Sequence, residues 1–257
     1  MLISKIKYPP FKQSVVLSML SAIIIFCCSM VTPPAQKVGN TISLAGPWQF
    51  QMDPNDSGIG EKWYLKPLND QIHLPGSMMQ NLKGDDITLK TKWTGSIFDS
   101  SWFYNPRFAK YRQPGNLKMP FWLTPPKHYL GAAWYRKEIV IPANWKNKHV
   151  TLFLERVHTE NHVWLDGTEI GTQNSMVAPH VFDLSDKIPP GKHIISLCID
   201  NRLKLDVGAN SHSVTDHTQG NWNGVVGKME LIATPQAYME DVQVYPDLKN
   251  KLAHIKI

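Results

Sequence analysis

No segment of this 257-residue chain keeps apolar residues at a 3.6-residue spacing over three turns; short alternating runs divided by turn-forming residues recur instead. Residues 42–52 place Trp48, Phe50 and Met52 in alternation with polar residues, the pattern of a strand with one buried face. Further runs lie at 134–141, 149–157, 162–165, 169–171, 193–200, 228–234 and 237–244. Asp166-Gly167 falls between two of them and reads as a tight hairpin, because both turn positions must tolerate positive φ. Pro189-Pro190-Gly191 marks another turn. Sixteen glycines and nineteen prolines likewise favour turns and short strands over long helices. The pattern predicts an all-β sandwich. Length adds an exclusion: a (β/α)₈ barrel takes roughly 250 residues, so it cannot share this chain with another sizeable domain.

The N-terminus reads differently. Residues 1–36 carry Lys5, Lys7 and Lys12 and no acidic residue, and residues 15–28 form an apolar run broken only by two serines. A basic region followed by a short apolar one reads as a secretory signal peptide, with a linker after it. The run is shorter than the roughly 20 residues of a spanning helix, although an uncleaved anchor is the alternative. Cys27 or Cys28 is a candidate lipidation site, but Phe26 or Cys27 stands where a small residue is usual. Without this segment the charge is 24 basic against 21 acidic residues, a balance read here as too small and too evenly spread for nucleic acid. Cys198 is then the one remaining cysteine, expected as a small core residue, and no disulfide framework is possible within one mature chain. Export without disulfides suggests a bacterial periplasm or cell surface.

Between Leu74 and Gly131 the alternation dissolves into a long loop with ten aromatic residues, among them Trp93, Trp102, Phe108, Tyr111 and Trp122, and with Pro106, Pro114, Pro120, Pro125 and Pro126. Long irregular loops are usually functional or disordered, and so many aromatics argue against disorder. The loop is expected to cover one end of the sandwich or a face of a partner domain, or to form a satellite core. After it, residues 237–257 read as a strand leaving the sandwich, a turn at 246–250, and a terminal strand with nothing to pair with. That is the expected beginning of an incomplete second β domain.

Chemical motifs are mostly absent. There is no phosphate-binding loop, nucleophile elbow, zinc-binding His-Glu-x-x-His helix or Cys-x-x-Cys pair, so no cofactor or metal is implied. Ser211, His212, Ser213, Asp216 and His217 crowd one segment, but neighbours in a polar loop are more often turn-formers than a triad, and His212 and His217 lack a ligand spacing. Glu155 and Glu160, around Arg156 and His158, read as charges on an exposed sheet edge.

Several short motifs nonetheless occur in a telling order: Leu44-Ala45-Gly46-Pro47-Trp48-Gln49-Phe50, His73-Leu74-Pro75-Gly76, Ala133-Trp134-Tyr135-Arg136-Lys137-Glu138, Val163-Trp164-Leu165-Asp166-Gly167, Phe182-Asp183-Leu184, Asn221-Trp222-Asn223-Gly224-Val225 and Asp241-Val242-Gln243-Val244-Tyr245-Pro246. In this order they resemble the N-terminal sugar-binding domain of family-two glycoside hydrolases, the group of β-galactosidases, β-glucuronidases and β-mannosidases. The resemblance covers roughly residues 40–257, and the loop at 93–128 resembles a subgroup of bacterial gut-type enzymes. It implies a jelly-roll sandwich of the galactose-binding type at 40–236 and the start of an immunoglobulin-like domain at 237–257. A (β/α)₈ barrel with two catalytic glutamates would follow. The family's acid/base glutamate follows an asparagine; none of Glu61, Glu138, Glu155, Glu160, Glu169, Glu230 and Glu240 does. Glycoside hydrolysis needs two carboxyl groups at a fixed separation across the sugar, so no catalytic residue is expected in this chain.

The resemblance also implies where a sugar would be met. An aspartate of the family, six positions before the glycine of this region, reaches into the barrel's sugar pocket; counting back from Gly224 gives Thr218, which lacks that carboxylate. Thr218 and Gln219 can still hydrogen-bond a hydroxyl, Asp216 lies two residues upstream, Trp222 offers an apolar face or a core plug, and Asn81 is a candidate for the same rim. The expected function is the non-catalytic sugar-binding domain of a secreted retaining β-glycosidase, β-galactoside-directed, with a carbohydrate and the catalytic barrel as partners. A stand-alone carbohydrate-binding module and a non-functional truncated remnant are the alternatives.

Overall fold

The alternating runs become strands of two facing antiparallel sheets. The computed structural model describes residues 40–92, 100–118, 124–208, 211–212, 214–216, 220–239 and 241–256. The signal-peptide reading of residues 1–36 therefore falls outside the described residues. The strands are β1 (Thr41–Ser43), β2 (Gly46–Asp53), β3 (Asp70–Leu74), β4 (Gly76–Ser77), β5 (Ala132–Ile141), β6 (His149–His158), β7 (Glu160–Leu165), β8 (Thr168–Gln173), β9 (His180–Asp183), β10 (Gly191–Asp200), β11 (Gly224–Thr234), β12 (Gln243–Asp247) and β13 (Leu252–Lys256). One sheet runs β1-β11-β6-β9, with β4 beside β11; the other runs β3-β2-β5-β10-β7-β8. This is the jelly-roll-type sandwich that the alternation and the resemblance predict.

The core between the sheets takes the inward residue of each pair: Trp48 and Phe50 from β2, Leu152 and Leu154 from β6, Leu197 and Ile199 from β10, Leu231 and Ala233 from β11. Each large apolar side chain removed from water contributes roughly 1.5–3 kcal/mol. The Asp166-Gly167 hairpin forms as expected, with φ of 49° and 82° at its two residues, and the Asp166 carboxylate accepts from the Ile194 amide at 2.7 Å.

Strand β10 carries an almost unbroken apolar run because both of its faces are covered. Its outward Cys198 joins Trp134, Trp164 and Leu68 in a second cluster against which Trp63 and Tyr64 pack. Tyr64 stacks on Trp164 at 5.1 Å, and Trp134 stacks on the same indole at 5.0 Å. The lone thiol is buried as predicted, and burial pushes it well above its ordinary value. At the end of β10, burial pushes the Asp200 carboxyl upward, but hydrogen bonds from Arg202 and Lys204 outweigh it and hold the group below its usual range.

Two expectations change. No strand occupies residues 237–239 or 241–242; pairing begins at Gln243. The reason is the partner: β12 pairs residue for residue with β13 across the turn, from Gln243↔Lys256 to Asp247↔Leu252, so the terminal strand is not alone. The sheet-edge reading of Glu155 to His158 holds for one side only. β6 pairs with β11 along its length, from His149 to His158, whereas β9 covers only Thr151 to Leu154. Glu155 is not a free charge either, because its carboxylate accepts from the Lys228 amide at 2.7 Å within the bulge of β11.

Candidate binding cleft

Where β6 outruns β9, the sandwich opens into a cleft of about 500 Å³ lined by Ser77, Gln80, Arg156, His158, Trp222 and Val226. Trp222 forms one wall; its indole stacks on the His158 ring at 4.9 Å and stays partly exposed. Backbone hydrogen bonds bring β4 and the 77–81 turn to the same place, since the Met78 amide donates to the Asn223 carbonyl at 2.8 Å. Gly224 permits this approach: its φ is 138°, and a Cβ there would lie 2.5 Å from the Gly76 carbonyl oxygen.

What fixes Trp222 is a set of buried asparagines on either side of it. Asn223 donates to the Ile199 and Gly131 carbonyls at 2.9 and 3.1 Å and accepts from the Tyr135 hydroxyl at 2.7 Å. Burial pushes the Tyr135 phenol well above its ordinary value, so it remains a donor. Asn221 donates to the Asn201 carbonyl at 2.8 Å, and Asn201 in turn donates to the Tyr129 carbonyl and accepts from the Gly131 amide. Three chain segments, 129–135, 199–201 and 221–223, are thereby stitched under one partly exposed ring.

The sequence candidates fare unequally. Trp222 lines the cleft. Asp216 does not reach its surface: the carboxylate is buried, accepting from the Asn221 amide at 3.1 Å and meeting His128 Nε2 at 3.1 Å. It braces the loop from beneath. Asn81 spends its amide on the backbone, accepting from the His73 amide and donating to the His73 and Ser77 carbonyls, each at 3.0 Å. It shapes the turn, while its neighbours Met79 and Gln80 line the cleft. Thr218, Gln219, His217 and Trp122 lie outside the described residues. Sequence reasoning missed the buried asparagines; the signal was the polar-aromatic-polar alternation Asn221-Trp222-Asn223 running directly into a strand. Among the described residues no group of three or more His, Cys, Asp or Glu is placed to hold a metal ion.

Comparison with known proteins decides the family. Residues 41–235 match the family described as glycosyl hydrolases family 2, sugar binding domain. The chain belongs to that family. Relatives include a beta-glucuronidase of Paenibacillus borealis, 19% identical over 224 residues that cover 81% of this chain and 31% of that protein. A beta-galactosidase of Leuconostoc mesenteroides is 24% identical over 219 residues, covering 82% and 18%. Among solved structures, a beta-glucuronidase from an uncultured Clostridium sp. superposes with a TM-score of 0.57 at 22% identity, covering 84% of this chain and 32% of that one. This likeness concerns the fold. The chain thus spans less than a third of the length of these relatives, and what it matches is the sugar-binding domain.

Proposed function

We propose that this family-two sugar-binding domain serves a retaining β-glycosidase by forming one wall of its sugar site, with a (β/α)₈ barrel supplying the catalytic carboxylates. Relatives include both beta-glucuronidases and beta-galactosidases, so the substrate is read as a β-glycoside, with a β-galactoside the sugar implied by the sequence motifs. The observation that carries the proposal is the Trp222 ring, held half-exposed in a preformed cleft by groups that are themselves buried. An aromatic face with polar groups around it is what a sugar ring requires. The β12–β13 hairpin is read as the opening of a following domain, and the basic-then-apolar leader supports export to a bacterial periplasm or surface.

Calorimetric titration of the purified chain with methyl β-galactoside and methyl β-glucuronide tests the cleft. A wall without its barrel is expected to bind weakly, with Kd on the order of 1 mM or about 4 kcal/mol. Trp222→Ala is expected to abolish the heat while leaving a cooperative melt. A folded wild-type chain that binds neither sugar would contradict the proposal. The cleft is built from this sandwich alone, which favours a stand-alone carbohydrate-binding module as a second reading. That reading requires micromolar affinity for oligosaccharides, about 8 kcal/mol.

A further inference from the structure

The charge of this chain is concentrated, not spread. Of the formal net charge of +6, residues 1–36 carry +3 and residues 87–127 carry +6, leaving −3 for everything else. The even distribution expected from the sequence is therefore corrected. The excursion is rooted at a neck, where Asp85 and His128 exchange backbone hydrogen bonds at 2.8 and 3.0 Å and Lys127 pairs with Asp86.

Residues 100–118 contain Arg107, Lys110, Arg112 and Lys118 and no acidic residue. They fold as two short helical turns, Ser101–Tyr104 and Pro106–Arg112, joined by a stack of Trp102 on Phe108 at 4.3 Å. This is the satellite aromatic cluster that the sequence allowed. Arg112 is used internally, donating to the Trp102 and Asn105 carbonyls. The other three cations are exposed and enter no ion pair among the described residues. The Lys118 amide donates to the Tyr111 carbonyl at 3.1 Å, which brings Lys118 back beside Lys110. Their ammonium groups lie 4.9 Å (Lys110) and 5.8 Å (Lys118) from the centre of the Tyr111 ring. Tyr104, 71% exposed, adds an open aromatic face to the same short segment.

We propose that residues 104–118 are a docking surface for a sulfated polysaccharide, with Lys110, Lys118 and Arg107 taking sulfate esters and Tyr104 a sugar face. Two ammonium groups held near one ring, with a further exposed cation in the same segment and no ion pair among the described residues, attract a polyanion. Lysine ammonium groups act as point charges that suit a tetrahedral sulfate ester, and Lys110 and Lys118 outnumber the one exposed guanidinium of the segment, Arg107. The glycan identity of the polymer rests on the sugar-binding reading of the domain. The surface itself uses none of the cleft residues.

The test measures binding of the full chain to heparin, with polygalacturonate, dextran and a DNA duplex as comparison probes. Heparin is expected to bind tightest and dextran not at all. Binding should fall steeply as salt shortens the screening length from about 10 Å at 0.1 M to about 3 Å at 1 M. Lys110→Ala with Lys118→Ala is expected to weaken heparin binding by about tenfold or more at low salt with the melting temperature unchanged, since both side chains are exposed. Lys118→Glu is a second variant with the same expected direction. Tyr104→Ala should weaken heparin binding further than it weakens inorganic sulfate binding. Unaltered heparin binding in the lysine variants overturns the proposal, as does absence of heparin binding. Equally tight binding of polygalacturonate or DNA overturns the sulfated-glycan assignment. Trp222→Ala is expected to retain full heparin binding, so failure of the cleft reading would show separately as a missing monosaccharide signal.

Discussion

Asn223→Leu is expected to lower the stability of the domain by about 4 kcal/mol, and with it the melting temperature by roughly 8–16 °C. The leucine keeps the same branched skeleton and is the larger side chain, so the loss is not a cavity. It comes from removing the acceptor of the Tyr135 hydroxyl and a donor from the carbonyls of Ile199 and Gly131, the latter left with only the long Asn201 amide contact at 3.5 Å. Each buried group left without its partner costs about 1–3 kcal/mol. Asn223→Asp should be at least as damaging. It keeps an acceptor for Tyr135 but turns a charged oxygen toward two carbonyl oxygens that need a donor. Because Trp222 is the preceding residue, both variants should also lose sugar binding in the cleft. Thermal melts followed by calorimetric titration check both parts, and a leucine variant as stable as wild type would remove the asparagine scaffold from the explanation.

A comparable loss, about 3–4 kcal/mol, is expected of Asp53→Ala, beneath the outer aromatic cluster. The Asp53 carboxylate accepts from the Ser57 and Gly58 amides at 2.8 and 2.9 Å and from the Trp134 indole at 3.0 Å. These bonds fold residues 54–58 down onto the outer aromatic cluster. Gly58 lies so close that a Cβ would stand 2.2 Å from the indole nitrogen. Asp53→Asn is the informative control. Its one carbonyl oxygen can replace the oxygen shared by Gly58 and Trp134, leaving only the partly exposed Ser57 amide to find water, so its cost should be about 1–2 kcal/mol. Denaturant melts of the two variants separate these values. Equal losses would mean that the intact carboxylate, and not the one oxygen shared by Gly58 and Trp134, holds the turn.

Most of the fold was legible because its signals are local. Alternation marked β2 through Trp48 and Phe50, and Asp166-Gly167 marked a hairpin, since a side chain's face and a turn's φ depend on a few residues. The terminal hairpin was misplaced because a strand's limits depend on its partner, and β13 selects residues 243–247, not 237–244. The site was less legible for a related reason. Asp216 and Asn81 have the chemistry of ligand contacts, yet their bonding groups are turned to neighbours dozens of residues away or across a turn. Whether a polar side chain serves a ligand or the backbone is settled by long-range packing, which spacing along the chain does not encode. The aromatic content of the long loop pointed to the stacked turns found at residues 100–118, but its concentrated charge was overlooked when the balance was taken over the whole chain.

Turnover of chromogenic β-galactoside and β-glucuronide by the purified chain tests the non-catalytic assignment most directly. No release above the buffer rate is expected, because hydrolysis requires two opposed carboxyl groups held at a set distance across the sugar, and this sandwich spends its buried carboxylates Asp53, Asp200 and Asp216 on its own loops. Sustained release by homogeneous protein, lost on mutating a residue of this chain, would contradict it.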